Sequence, residues 1–405
     1  MTLYQLRGRG TMLDKIYITG LGVVTPIGID VENYWQKLCA GESNFTRLAP
    51  VYTAMKPNFI AGKISAGPRM EIKARAPKCT GAQVPDSSLY AVDAALQAIA
   101  DAGLQPGCAE LRNALVCVGN NEAEADILDQ LVEGMPVNWN ANIYSSHAVS
   151  DNVARAMGSS GPSMTIHNTC ASANIALETA LRMMKAGIVS TSVIGGGDAF
   201  SKKVWSGFYM LNALGAEQCR PFSQLRRFIT ISEGAAFLVL QNRKQVGEHQ
   251  SPYAELIATA SNNDALHPTN LDISSVTQCH EKLLNSAGLE AEDIDGIYAH
   301  GTGTKANDAV EASIFSEYFP NSAVSAIKGT IGHMMATAGA IGAVSACLSL
   351  RDQMMPPTNI LPEDFEYQFN LITHSMEMKH NLRYVQNNAF GFGGNNAITL
   401  FGRVT

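Results

Sequence analysis

Residues 161–200, GPSMTIHNTCASANIALETALRMMKAGIVSTSVIGGGDAF, limit the fold more than any other stretch. Ser163 to Ile166 reads as a short buried strand, and Cys170 follows after a three-residue turn. From Ala171 to Lys185, good helix formers carry apolar side chains on nearly every face, the pattern of a buried helix. A second apolar run, Val189 to Ile194, ends in Gly195-Gly196-Gly197, where backbone can approach backbone closely. The thiol is therefore expected on the first turn of a central helix, where free N–H groups and the helix dipole favour thiolate over thiol. A buried cysteine taken at random is usually inert. The junction, together with two histidine motifs downstream, marks Cys170 as a nucleophile.

The 405 residues suffice for two domains or one large α/β unit, and 46% hydrophobic content supplies its core. A formal charge of −7 argues against nucleic acid as partner. No apolar run approaches the length of a membrane span, and the N-terminus lacks a signal-peptide pattern. The eight cysteines show no metal-ligand spacing, so no metal is expected, and they read as reduced thiols in a cytoplasm.

Met1 to Thr11 is polar and basic and carries no structural prediction. Lys15 to Thr19 predicts a strand that turns at Gly20-Leu21-Gly22; the glycine spacing is too weak for a phosphate loop. Lys63, Arg69, Lys73, Arg75 and Lys78 stand against one acid, Glu71. Such clusters are usually solvated faces, but on an acidic chain this one also suits an acidic partner. Two segments echo each other. Ser88 to Gly119 predicts helix, Ala102-Gly103-Leu104, then strand; Ser275 to Gly301 predicts helix, Ala287-Gly288-Leu289, then strand. The helix after Cys170 is matched by a small-residue helix after His333. An internally duplicated α/β fold follows, with the halves meeting through these two helices and dividing near Gly247 to Pro252.

His300-Gly301-Thr302-Gly303-Thr304 ends a strand in an open loop with hydroxyl donors suited to a polar ligand arm. Lys328-Gly329-Thr330-Ile331-Gly332-His333 places a lysine and a histidine beside the second buried helix, where a neutral imidazole can donate a hydrogen bond. Asn388 to Asn396 predicts a glycine loop whose N–H groups can face an oxyanion.

With these motifs in order, the chain from Met12 to Arg403 resembles an elongating β-ketoacyl-acyl-carrier-protein synthase of the thiolase superfamily. Asp264-Ala-Leu-His267-Pro-Thr269 and Cys219-Arg220-Pro221-Phe222 strengthen the likeness. The resemblance implies a five-layered α-β-α-β-α fold, with one half over 12–250 carrying the cysteine and the other over 251–405 carrying both histidines. It implies decarboxylative Claisen condensation of an acyl chain on Cys170 with malonyl-acyl-carrier protein. Cys170, His300, His333 and Lys328 would be the catalytic set, with the Cys170 and Phe392 N–H groups as oxyanion hole. Thr302, Thr304 and Thr269 would bind the phosphopantetheine arm that the carrier brings, no cofactor being resident, and Phe392 would act as a gate. Lys63, Arg69 and Lys73 would receive the carrier protein. A dimer is implied, through the strand about Val189 to Ile194, with an identical mate or a second ketosynthase-like subunit.

This chain departs from the family pattern in places. Gly342 stands where the family usually has glutamate, Asn395 where threonine is common, and Ser223 to Ser232 lacks a usual glycine. Gly119-Asn-Asn-Glu122-Ala-Glu124 replaces a glycine-rich apolar stretch that borders the acyl tunnel in the family. A carboxylate there must face solvent or be paired, which favours a polyketide- or polyene-type enzyme. The alternative is a chain-length-factor-like partner subunit, but that lacks the cysteine. A thiolase would need a second active-site cysteine, and neither Cys279 nor Cys347 lies in a suitable loop. A papain-like hydrolase would need an orienting asparagine.

Overall fold

A computed structural model describes residues 15–48, 59–75, 84–136, 145–247, 251–373 and 381–404. The first half runs β1 (Ile16–Val24), α1 (Val31–Cys39), β2 (Thr46–Leu48), β3 (Phe59–Ala61), α2 (Ala66–Arg75), α3 (Asp86–Asp101), α4 (Ala109–Arg112), β4 (Leu115–Gly119), α5 (Ala125–Val132), α6 (Ala148–Met157), β5 (Ser163–Ile166), α7 (Ser172–Lys185), β6 (Thr191–Asp198), α8 (Lys202–Met210) and β7 (Gly234–Asn242). The second runs β8 (Ala254–Asn263), α9 (Ile273–Ala287), β9 (Gly296–Tyr298), α10 (Lys305–Tyr318), β10 (Ala323–Ser325), α11 (Lys328–Ile331), α12 (Ala338–Asp352), β11 (Tyr384–Gly391) and β12 (Asn395–Gly402).

The large sheet has the order β10-β9-β11-β12-β8-β1-β7-β6-β4-β5. Outward from the short β8–β1 seam, both halves repeat one pattern. β1 pairs antiparallel with β7 and β7 with β6, then β4 and β5 follow in parallel. β8, β12, β11, β9 and β10 do the same. Helix ends repeat too. Gly103 and Gly288 both take positive φ, and the next residue's N–H returns to a carbonyl five residues back, the closure that a left-handed residue allows.

Helices α7 and α12 lie between the half-sheets, each touching strands of both, while α3 covers β1, β7 and β6 outside and α9 covers β8 and β12. The result is five layers, α-β-α-β-α, as the family resemblance implies, built from the two copies that the sequence echo predicts. Every residue of α12 from Ala338 to Leu350 is buried, which its small side chains permit. Among the described residues, no helix is long and apolar enough to cross a membrane.

Several local expectations are corrected. β1 does not turn at Gly20-Leu21-Gly22 but continues to Val24. A Cβ at Gly20 or Gly22 would collide with the Ala98 or Ala94 carbonyl oxygen of α3, so these glycines serve close packing, which reads like a turn in sequence. β5 is half-buried or exposed because it is the sheet edge. β6, expected about Val189 to Ile194 as the dimer strand, is paired on both sides by β4 and β7 and cannot extend the sheet to a mate. The glycine loop is a tight hairpin in which Gly391 faces Asn395, and Lys328 opens a four-residue helix rather than a loop. Met1 to Thr11, Lys78 and 248–250 of the predicted boundary lie outside the described residues.

Gly22→Val should lower the unfolding free energy by about 1–3 kcal/mol through overpacking against α3, read as a lower urea midpoint at unchanged m-value. A midpoint equal to the parent's would refute the close-packing account.

Candidate active site

The nucleophile position is built by a strained elbow. Thr169 takes φ of 51°, a region costly for a β-branched residue. Ser172 holds it, its Oγ accepting the Asn168 N–H (2.8 Å) and donating to the Thr169 carbonyl (2.6 Å). Cys170 is thereby turned inward just before α7, which starts at Ser172, and is 8% exposed. Burial pushes its thiol up to about 12, opposed by the charge of Lys328 and reinforced by that of Asp198. Loss of water thus outweighs the helix end two residues further on and favours the thiol over the expected thiolate.

The second half supplies two imidazoles. His333 Nε2 lies 3.2 Å from Cys170 Sγ, and its Nδ1 accepts the Met335 N–H at 3.1 Å. That bond places the ring proton on Nε2, facing the sulfur. His300 sits edge-to-face with His333, ring centroids 5.5 Å apart. The Lys328 ammonium faces its Nδ1 at 3.4 Å and donates to its carbonyl oxygen, so His300 also carries its proton on Nε2. Burial holds both rings well below the ordinary histidine range, and the Lys328 charge adds to this. Both are neutral donors at physiological pH. A nitrogen of each ring and Cys170 Sγ lie within 4.8 Å of one another. That spacing would admit a metal, but the protons on Nε2 make these rings donors rather than ligands.

Lys328 stands behind His300. Burial lowers its pKa and Glu311 opposes the shift. Asn307, Asp308 and Glu311 lie buried in the first turns of α10. Glu311 accepts the His300 and Gly301 N–H groups (2.7 and 2.6 Å), while Asp308 accepts those of Phe222 and Gly303 (2.8 and 3.2 Å). These carboxylates fix the His300 loop. Their three-residue spacing on α10 was the available signal.

A cavity opens onto Cys170, His300 and His333, and Thr269, Thr302, Thr304 and Phe392 also line it. Lys328 is not in its wall. Phe392, 39% exposed, lies over Phe208 with centroids 5.8 Å apart. The hairpin closes on the elbow: the Phe392 carbonyl accepts from Thr169 Oγ1 (3.3 Å), and a Cβ on Gly391 would sit 3.1 Å from the Cys170 nitrogen. Asn395 donates to that same carbonyl (2.9 Å). Cys279 and Cys347 are buried in α9 and α12, outside this cavity.

The two arginines of the basic cluster are paired with acids, mainly from α3. Arg69 bonds both oxygens of Asp86, Arg75 pairs with Asp93 and Glu71, and the Lys63 ammonium lies 4.5 Å from the Phe200 ring centre. Lys73 is exposed. Glu122 pairs with Lys203 at 2.8 Å, and Glu124 is buried on the hydroxyl of Ser88. At Gly342 a side chain would collide with Asn387, which ties Asn174 Oδ1 (3.0 Å) to the Gly339 carbonyl (2.9 Å). An amide network occupies the place of the usual glutamate.

A duplicated five-layer fold with a cysteine elbow facing two histidines defines the class of thiolase-like condensing enzymes. Models of the family described as beta-ketoacyl synthase match the chain in both parts, the N-terminal domain over residues 13–246 and the C-terminal domain over 253–361. The chain belongs to the β-ketoacyl synthase family. It is 28% identical over 410 residues to nodulation protein E of Rhizobium meliloti, covering 96% of this chain and 99% of the relative. It is 29% identical over 426 residues to 3-oxoacyl-[acyl-carrier-protein] synthase 2 of Coxiella burnetii, with the same coverage. Among solved structures, the ishigamide ketosynthase/chain length factor superposes with a TM-score of 0.86 at 28% identity, over 96% of this chain and 99% of that one. A beta-ketoacyl synthase from Burkholderia phymatum gives 0.84 at 25% identity, over 96% and 100%.

Iodoacetamide labelling of Cys170, followed by peptide mass spectrometry, should accelerate about tenfold per pH unit from pH 7 to 10, because only the thiolate reacts and its pKa lies above that window. A plateau below pH 9 would mean a resting thiolate. Lys328→Ala should slow labelling throughout, since it removes the cation that opposes burial.

Proposed function

We propose that this chain is a β-ketoacyl-acyl-carrier-protein synthase that condenses an acyl group held on Cys170 with malonyl-acyl-carrier protein, in fatty-acid or polyketide (polyene-type) elongation. The observation that carries this reading is the His333 Nε2–H facing Cys170 Sγ at 3.2 Å, with a second neutral imidazole alongside. Cys170 attacks the acyl thioester and its proton leaves on the departing pantetheine sulfur. The Cys170 and Phe392 N–H groups hold the oxyanion. The malonyl carboxylate then departs as carbon dioxide, and its electron pair forms an enolate whose oxygen accepts from His300 and His333. Neutral donors suit this step because they strengthen as negative charge develops. The carbanion attacks the acyl carbon, the C–S bond breaks, and Cys170 is released to regain a proton. Lys328 orients His300 and sets the local field.

Thr302 and Thr304, whose hydroxyls lie 2.9 Å apart, and Thr269 would hydrogen-bond the pantetheine arm, which the carrier brings; Phe392 would gate its entry. Carrier docking on Lys63, Arg69 and Lys73 contracts to Lys63 and Lys73, since Arg69 is committed to Asp86. The Coxiella relative's name supports the carrier, and the ishigamide structure supports a second ketosynthase-like subunit as mate, beside a second copy. The edge of β5, unpaired on its outer side among the described residues, would receive either. The halves 12–250 and 251–405 would each contribute one lobe, in a cytoplasmic enzyme. A chain-length-factor-like subunit with little catalysis is disfavoured by the convergence of thiol and imidazoles.

Cys170→Ala should abolish chain extension from acyl- and malonyl-carrier proteins, whereas Cys170→Gln should still release carbon dioxide from malonyl carrier protein. His333→Ala should cut decarboxylation by about 10²–10³-fold, the usual cost of one oxyanion donor. Product masses on the carrier and the carbon dioxide released are the readouts. Normal extension by Cys170→Ala would end the reading.

A further inference from the structure

Asp198, the last residue of β6, is 1% exposed, and its carboxylate meets four N–H donors. Oδ1 accepts from Asn120 Nδ2 (3.0 Å), Asn121 N (3.0 Å) and Glu122 N (3.4 Å). Oδ2 accepts from Ala336 N at 2.8 Å. The two sets of donors belong to different halves and to two strained turns. On one side Ala123 takes φ of 51°; on the other Met335 takes 52°. Neither is a conformation that such residues hold unaided.

The Ala336 bond acts directly on the reacting groups. Met335, between Ala336 and the histidine motif, donates its N–H to His333 Nδ1. If the turn relaxes, that donor moves, and with it the reason for the ring proton to reside on Nε2. The other oxygen controls the neighbouring wall. Asn121, with its amide oriented to satisfy both neighbours, donates to the Thr169 carbonyl (3.2 Å) and accepts from Ala336 N–H (3.3 Å). Asp198 thus touches the frame of the cysteine elbow and of the imidazole at once. β6 reaches this point because its glycines admit the turn: a Cβ on Gly196 would lie 2.7 Å from Thr337 Cα.

We propose that Asp198 is a positioning residue: by holding the turn after His333 against the Asn120–Glu122 loop, it fixes the tautomer of His333 and aims its Nε2–H at Cys170. Asparagine cannot replace it. With donors on both sides, the amide NH2 must face one of them, and one tie is lost. The charge also matters. Glu122, itself paired with Lys203, and Cys170 are the titratable groups whose charge acts on or responds to this carboxylate, and His333 is the neutral group beyond its turn. Burial pushes this carboxyl up to about 7, so at pH 8 it is ionised; an anion here opposes ionisation of the thiol, and its neutralisation should favour the thiolate.

This rests on the role proposed for His333, and the test separates the two. In Asp198→Asn, kcat for malonyl-carrier decarboxylation should fall by about 10²-fold, the scale of an ångström misplacement, at unchanged KM, while iodoacetamide labels Cys170 faster than in the parent at pH 8. Asp198→Glu, which keeps both acceptors, should recover most of kcat. Unchanged kcat in Asp198→Asn, or loss of activity and thermal stability together without recovery in Asp198→Glu, would overturn the proposal. Should Asp198→Asn fail to fold, imidazole ¹⁵N NMR of the parent decides: His333 protonated on Nε2 supports the proposal and protonation on Nδ1 overturns it. A parent that shows this tautomer yet neither decarboxylates nor condenses refutes the proposed function and leaves the positioning role standing.

Discussion

The close approach of α7 to α12 is the contact on which everything else depends. A Cβ on Gly339 would lie 2.9 Å from the Asn174 nitrogen, so the two helices touch almost backbone to backbone. Each carries one part of the chemistry at its leading end, the Cys170 elbow before α7 and the His333 turn before α12. Larger side chains at this crossing would hold the layers apart, and a 3.2 Å separation between sulfur and imidazole could not be reached. The Asn174–Asn387 amide pair, with Gly342 left empty for it, locks the helices to β11 in the same place. A well-satisfied buried network of this kind favours one arrangement over its neighbours.

Around that crossing, burial does most of the electrostatic work. Removing water from Cys170 keeps it a thiol, and removing water from His300 and His333 keeps them neutral. Lys328, Glu311, Asp308 and Asp198 are buried beside them and are held by hydrogen bonds to backbone or neighbouring groups. Such charges persist without bulk water only when enough donors or acceptors surround them. The cavity therefore presents uncharged donors to a substrate, while Lys328 and hydrogen-bonded carboxyl groups, Asp198 and Asp308 among them pushed up to about 7 by burial, lie one layer behind, an arrangement suited to stabilising an anion that exists only transiently.

Much of this was legible in the chain. The elbow, the histidine loops and the glycine hairpin stand out because their residue types suit particular backbone geometries and particular chemistry. The duplication could be read from two helix–glycine–strand echoes, each spanning a local supersecondary unit. Cavity lining by Thr302, Thr304 and Thr269 followed from the resemblance. Gly20 and Gly22 were misread because a glycine that admits a packed helix looks the same as one that makes a turn. The pairing of Arg69 and Arg75 could not be read because Asp86 and Asp93, which neutralise them, come from the next helix.

By itself, the sequence determined which elements form and which side chains bear chemistry, since helix periodicity, glycine placement and nucleophile identity are local properties. Only the tertiary structure decided protonation and partnership. Whether Cys170 rests as thiol, which nitrogen of His333 holds the proton, and what offsets each buried charge depend on water being excluded and on donors from remote segments. Asp198 shows the difference most clearly. In the chain it is one acid after three glycines, and in the fold it joins turns 78 and 138 residues away in sequence.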